Sequence, residues 1–246
     1  MKKKNRLKPF ILGVLSVIFI AALSFSLYNA LTIYIPQKQE QSRFHELQQI
    51  AEQKKEYSAE KYLPFFEMNT DFRGWLKIED TDISYPVVKP TDEDAEYYLH
   101  RDFDKNYSFS GTPFIGAGAD ENSDIFIIYA HNMKTDTMFG RLDDYADSDW
   151  AKAHRDIVFD TLSEHRVYRV FAAFQTKVGA ENEYKYYEKV GNCNTDGYNK
   201  TISEITKKSL IDTYDVPSEK SQIIMLSTCS YHTKNGRFVV AAYRTE

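Results

Sequence analysis

The sequence predicts a mainly β fold, a barrel or a sandwich, preceded by N-terminal helices and interrupted by a helical insertion late in the chain. Three features carry that reading. An uncharged run follows a basic N-terminal cluster, an amphipathic stretch rich in Gln, Glu and Lys comes next, and a series of short β-branched and aromatic runs between turn residues fills the rest.

At the N-terminus, Lys2, Lys3, Lys4, Arg6 and Lys8 precede a mostly apolar run from Pro9 to Ile35, broken only by small or weakly polar residues such as Ser16, Ser24 and Asn29. As a helix, such a run crosses a hydrocarbon core about 30 Å thick. A cleaved signal peptide has an apolar region of only ~7–15 residues that ends at a small-x-small site. Here the best such site, near Ala22 and Ser24, lies inside the run, so the expectation is an uncleaved, single-pass anchor. Basic residues favour the cytoplasmic side. Residues 1–8 are therefore expected inside, 9–35 in the membrane, and everything after Pro36 outside the cell.

Residues 36–63 read as a helical stalk, with Phe44, Leu47, Ile50 and Ala51 forming an apolar stripe expected to pack on the domain that follows, 64–246. From Pro64 onward the runs GWLKI, ISYPVV, TPFIGA, DIFIIYA, DIVFD, VYRVFAAFQT, SQIIMLSTC and GRFVVAAYR each read as a strand. Helical insertions are expected at about Met138 to His154 and from Tyr198 to Tyr214. In the second, Ile202, Ile205 and Leu210 share a face, and Asp215 and Pro217 stop it.

Without the basic cluster the balance is acidic, which disfavours nucleic acid, a partner that selects clustered Lys and Arg. Short paired ligand spacings such as C-x-x-C or H-x-x-x-H are absent from the sequence, which argues against a metal centre, and no cofactor is implied. Two cysteines, Cys193 and Cys229, leave two readings open: one structural disulfide, or a free reactive thiol with an incidental partner.

Cys229 closes the apolar run Ile223 to Leu226 and precedes a turn-rich stretch through Asn235 and Gly236, so a strand end would hold it rigidly within reach of solvent. His131 ends the run Ile125 to Ala130 in the same way. His45, His100, His154, His165 and His232 are the other histidines, with His232 the nearest rival in sequence. A catalytic cysteine and histidine usually meet in space rather than in sequence.

With these residues in hand, the chain is identified as resembling the class B sortases over nearly all of its length beyond the stalk. GWLKIEDTDISYPVV resembles the family's opening strand pair and EYYLHRDF the segment after it. IIYAHNMKTDTMFGRLDDY resembles the histidine region, and LSTC with the downstream GRFVV the cysteine and arginine strands. The long insertion after Gln175 favours class B over class A.

The resemblance implies a closed eight-stranded barrel with N-terminal helices and a helical insertion before the cysteine strand. It implies Cys229 as nucleophile, His131 as its proton partner and Arg237 as the oxyanion-stabilising cation, with the Ser230 N–H as a second donor. Ser227, Tyr129, Ser230, Tyr184 and Leu99 match substrate-groove positions. Ser230 stands where many class B members carry an acidic residue, and Ala130 where glycine is common.

The implied reaction is transpeptidation. A sorting motif of LPxTG or NPxTN type on a secreted protein is cleaved after Thr through a thioester, and the acyl group passes to a peptidoglycan amine. An uncoupled cysteine–histidine pair with ordinary pKa values would hold only ~1 % of molecules as thiolate and imidazolium at pH 7. A neighbouring arginine favours the thiolate. The competing readings are an extracellular cysteine protease, with Asn132 or Asp136 orienting the histidine, and a non-catalytic surface module with a disulfide.

Overall fold

The computed structural model describes residues 7–54, 56–179, 183–212, 215–230 and 235–246. The chain divides into two compact units after Arg43.

The first unit is helical. Helix α1 spans Leu7–Asn29, a π-helical turn follows at Ala30–Tyr34, and α2 spans Ile35–Glu52 and continues into the second unit. The helical run from Phe10 to Glu52 contains a stretch long and apolar enough to cross a membrane, none of it buried within the protein. Two hydroxyls in this run are satisfied locally: Ser16 Oγ donates to the Leu12 carbonyl at 2.9 Å and Thr32 Oγ1 to the Tyr28 carbonyl at 2.7 Å. In an apolar medium an unsatisfied hydroxyl would be costly.

The second unit begins with the apolar stripe. Phe44, Leu47 and Ala51 are buried and Ile50 packs against the same core, as the spacing predicts. Helix α3 (Ala59–Met68) follows and buries Tyr62 and Phe65, so the expected stalk boundary at residues 63 and 64 falls inside a helix. Pro64 is tolerated there on the exposed side of α3, where solvent can take the carbonyl its missing N–H leaves unpaired.

Eight strands follow: β1 (Phe72–Ile78), β2 (Ser84–Val88), β3 (Phe114–Ile115), β4 (Ile125–Tyr129), β5 (Asp156–Asp160), β6 (Val167–Lys177), β7 (Ile223–Ser230) and β8 (Gly236–Arg244). They close into a barrel in the order β1-β2-β3-β4-β7-β8-β6-β5, with β2–β3 and β4–β7 parallel and the other pairs antiparallel. Each expected strand run overlaps one of them, with ends that differ by no more than two residues.

Strand alternation separates two cores. Phe126, Ile128, Ile224, Leu226, Phe238, Val240 and Ala242 belong to the core that fills the barrel and reaches the N-terminal helices. Ile125, Ile127, Ile223, Met225, Val239 and Ala241 form an outer apolar patch, covered by α5 (Thr195–Lys208) and a 3-10 turn at Tyr186–Glu188.

Two helical expectations need correction. Helix α5 begins at Thr195, because Asn194 caps it by accepting from Gly197 N at 2.8 Å, and it ends at Lys208. Leu210 is half exposed; its N–H leaves the helix and donates to the Ala173 carbonyl at 2.7 Å, and the expected end at Tyr214 lies outside the described residues. Between Met138 and His154, only a 3-10 turn at Leu142–Ala146 and the short helix α4 (Ser148–Ala153) are helical. The segment before them folds tightly, with Asp136 and Met138 at φ +62° and +55°. A Cβ on Gly140 would sit 2.4 Å from the Met133 carbonyl oxygen, so only glycine fits that turn.

Candidate active site

The outer face of β4, β7 and β8 stops being apolar at one end of the barrel. Parallel pairing sets Tyr129 opposite Ser227, and antiparallel pairing sets Ser227 opposite Val239 and Cys229 opposite Arg237. The next outward-facing position of the β4 segment is His131. Three bonds carry the β4–β7 alignment past the strand end: Ala130 N to Ser227 O at 3.3 Å, Thr228 Oγ1 to Ala130 O at 2.8 Å, and Asn132 Nδ2 to Cys229 O at 2.9 Å. His131, Cys229 and Arg237 thus form one row across three neighbouring strands, with histidine and arginine on opposite flanks of the cysteine. Cys229 is exposed; His131 and Arg237 are half-buried.

His131 is held by its Nε2–H, which donates to the Leu99 carbonyl at 2.8 Å. A carbonyl only accepts, so the proton is on Nε2 and Nδ1 is the nitrogen left to exchange one. Burial pulls the His131 pKa below its ordinary value, and the nearby His100 adds to the fall, while the Leu99 carbonyl opposes it. The His100 and His131 rings lie 5.4 Å apart, tilted by 33°. Leu99, matched from sequence to the groove, contributes here through its backbone.

The described side-chain bonds of Asn132, one of the two residues that the protease reading offers to orient the histidine, go to other groups. Its Nδ2 donates to the Cys229 carbonyl and, at 3.3 Å, to Asp143 Oδ2. It therefore ties the histidine segment to the cysteine strand.

Beneath the row, Ser227 is fully buried and its Oγ pairs with Tyr186 Oη at 2.7 Å. Tyr186 also shares a hydrogen bond with Tyr129. Burial raises the pKa of both hydroxyls, and the Arg237 charge works against that rise in each. The Tyr129 ring fits closely over Gly116, where an added Cβ would sit 2.5 Å from it. Tyr184 lies elsewhere, packed edge-on to Phe174 at 6.1 Å with Lys208 Nζ 5.9 Å over its ring. Tyr186, two residues on, is thus the tyrosine that reaches Ser227, and YKYYEK gives no sequence signal to choose between them.

Arg237 donates one Nη1 bond to the Gly236 carbonyl at 3.0 Å, its one described hydrogen bond. Ser230 pairs with Gly236 in the ladder, and His232 lies outside the described residues. Both cysteines are free thiols, which removes the disulfide of the surface-module reading. Among the described residues no cluster of three His, Cys, Asp or Glu is arranged to hold a metal ion.

Comparison with known proteins agrees with this geometry. The sortase domain family matches residues 76–245. A sortase B of Staphylococcus aureus is 28 % identical over 96 % of this chain and 97 % of its own, and a sortase B of Listeria monocytogenes is 30 % identical over 70 % and 69 %. The structure of a Staphylococcus aureus sortase B–substrate complex superposes with a TM-score of 0.76 at 26 % identity, over 86 % of this chain and 99 % of that one. From the row on the barrel's outer face to the family match, the chain therefore belongs to the sortases, as a class B member of these cysteine transpeptidases.

Proposed function

We propose that Cys229 attacks the carbonyl after Thr in a C-terminal sorting motif of LPxTG or NPxTN type, and that the acyl group then passes to a peptidoglycan amine. The observation that supports this best is the single row. Arg237 and His131 flank the cysteine, so the carbonyl oxygen turns toward the guanidinium and the leaving amine toward the imidazole.

The C–S bond forms as the thiolate adds to the carbonyl carbon, and Arg237, with the Ser230 N–H, donates to the developing oxyanion. His131 gives its Nδ1 proton to the departing amine as the C–N bond breaks. A lowered histidine pKa makes the imidazolium scarcer but a stronger acid toward a poor leaving group. Ser227, Tyr129 and Tyr186 form the polar floor beneath the acyl part of the substrate. Leu99 contributes to the groove through its hold on His131, while Tyr184, packed on Phe174, has no part in it.

Residues 9–35 anchor the protein as a single span, with 1–8 cytoplasmic, 36–63 leading away from the membrane, and 64–246 carrying the chemistry outside the cell. The uncharged helix behind five basic residues supports this topology.

The test is to incubate the full-length protein in detergent with a sorting-peptide library and a primary amine, and to follow products by mass spectrometry. Cleavage after Thr with amide formation is the expected result, and a methanethiosulfonate reagent should abolish it. Acid as the sole product would favour a protease, and no cleavage of any motif would overturn the reading.

A further inference from the structure

The connection between β2 and β3 carries two large aromatic side chains held out in water, Tyr107 at 76 % exposure and Phe109 at 55 %. Single exposed aromatics are ordinary. Tyr107 differs in two ways, the first of which is that its backbone is fixed. Arg101 and Tyr107 form an antiparallel bridge, Ser108 N donates to His100 O at 3.1 Å, and Asp102 N donates to Asn106 O at 2.9 Å. Segment 100–108 is therefore a small hairpin that presents the Tyr107 ring at a fixed place.

The second difference is where the rings lead. Tyr107 stacks on His100, with centroids 6.5 Å apart and planes 22° apart, and His100 in turn lies 5.4 Å from His131. Three rings thus run outward from the histidine, on the flank of Cys229 opposite Arg237. Chemistry fixes what uses that flank. The acyl carbonyl points its oxygen to Arg237, so the amine leaves on the His131 side. The acceptor amine must enter where the first amine left, because aminolysis of the thioester is the reverse of its formation with a different amine.

We propose that Tyr107, backed by His100, is the subsite for the acceptor amine and takes it as its ammonium form. The inference rests on the transpeptidase reading given above. An aromatic face attracts an ammonium group within about 6 Å of its centroid, and rings are the common recognition element for such cations. When the amine moves inward from that perch to the thioester, it gives one proton to neutral His131 at Nδ1. The freed lone pair attacks the thioester carbon, the C–S bond breaks with its electrons on sulfur, and the nitrogen's remaining excess proton goes to the thiolate. Amide, imidazolium and thiol result, with no further reactant. The low His131 pKa suits this step, since a neutral ring is needed to receive the first proton.

The experiment uses the full-length protein in detergent with a sorting peptide it cleaves, and compares two nucleophiles: triglycine, whose terminal amine is cationic, and hydroxylamine, which is neutral near pH 7. The readouts are the KM for each nucleophile and the ratio of captured to hydrolysed product. Tyr107→Ala should raise the KM for triglycine by about two- to five-fold, the range for an exposed cation–ring contact. Tyr107→Phe should keep the wild-type value, and hydroxylamine capture should not follow the triglycine loss. An unchanged triglycine KM in Tyr107→Ala would overturn the proposal. So would an equal loss for both nucleophiles, which would mean that the ring supports the site's shape and not the cation. A wild-type protein that forms neither hydroxamate nor acid would instead remove the transpeptidase reading beneath it.

Discussion

Asn132→Ala separates the proposed catalytic row from the rest of the fold. The substitution removes two donor contacts, 2.9 Å to the Cys229 carbonyl and 3.3 Å to Asp143 Oδ2. Hydrogen bonds of this kind contribute about 0.5–1.5 kcal/mol each, and the site is solvent-accessible, so the loss of stability should be roughly 1–2 kcal/mol. For a domain of this size that is a fall in Tm of about 2–8 °C. The effect on rate should be larger than the effect on stability. The clamp bridges the segments that carry His131 and Cys229, and a misplacement of about 1 Å between reacting groups costs up to ~10² in rate. The expected result is a folded protein whose kcat for sorting-peptide cleavage falls ~10- to 100-fold, with little change in KM. Asn132→Asp should be worse than Asn132→Ala. It cannot donate to the Cys229 carbonyl, and it sets a second carboxylate beside Asp143, where like charges 4 Å apart repel by about 1 kcal/mol even in bulk water. A thermal melt with steady-state kinetics decides. A lowered Tm with wild-type kcat, or an aspartate variant as active as wild type, would refute the reasoning.

Other substitutions test the remaining groups. Arg237→Ala should keep the fold and lose ~10²–10³ in turnover, the usual effect of removing one oxyanion donor, and Arg237→Lys should recover little because lysine lacks the planar fork; near wild-type turnover in a folded alanine variant would remove the arginine from the mechanism. Histidine-labelled NMR should find His131 titrating below about 6.5, and His100→Gln should move it up but not fully back, since burial is the larger cause. The sign of that shift means its contribution to stability is lost as pH falls below the unfolded value; a titration above the ordinary value would contradict the burial argument. Tyr62→Phe should cost about 1–3 kcal/mol in urea unfolding, because it strips a 2.5 Å donor from Asp160, a carboxylate only 6 % exposed; an unchanged midpoint would show the pair adds nothing.

The strands were legible because each is a short branched or aromatic run between turn residues, and Cys229, His131 and Arg237 each stand at the rim of such a run. Their juxtaposition was carried by family resemblance, since residue pattern alone cannot fix a parallel pairing between distant segments such as β4 and β7. Helix ends were less legible: Asn194 caps α5 ahead of its first apolar residue, and the tight turn through Asp136, Met138 and Gly140 takes the start of the helix expected from Met138, leaving a 3-10 turn and α4. What holds His131 was invisible for a different reason. A backbone carbonyl, that of Leu99, has no side-chain signature. Asn132 was visible only as one of two residues, with Asp136, that the protease reading offers to orient the histidine, because spacing shows that an amide is near a histidine and not which way it points.

The β4–β7 pairing has a consequence for biogenesis. Cys229 and Arg237 come from a local hairpin, but the histidine's segment meets the cysteine strand only across a separation of 98 residues. Contacts so distant along the chain are slow to form, because the entropy of closing the loop is lost before the pairing compensates for it. A chain emerging N-terminus first would therefore carry an unpartnered histidine until the last two strands arrive with the thiol. Acyl transfer is thereby tied to completion of the barrel: a copy truncated before β7 carries the histidine without its thiol, a half-folded one carries the thiol without its proposed proton partner, and both stay chemically quiet toward the substrates moving past them.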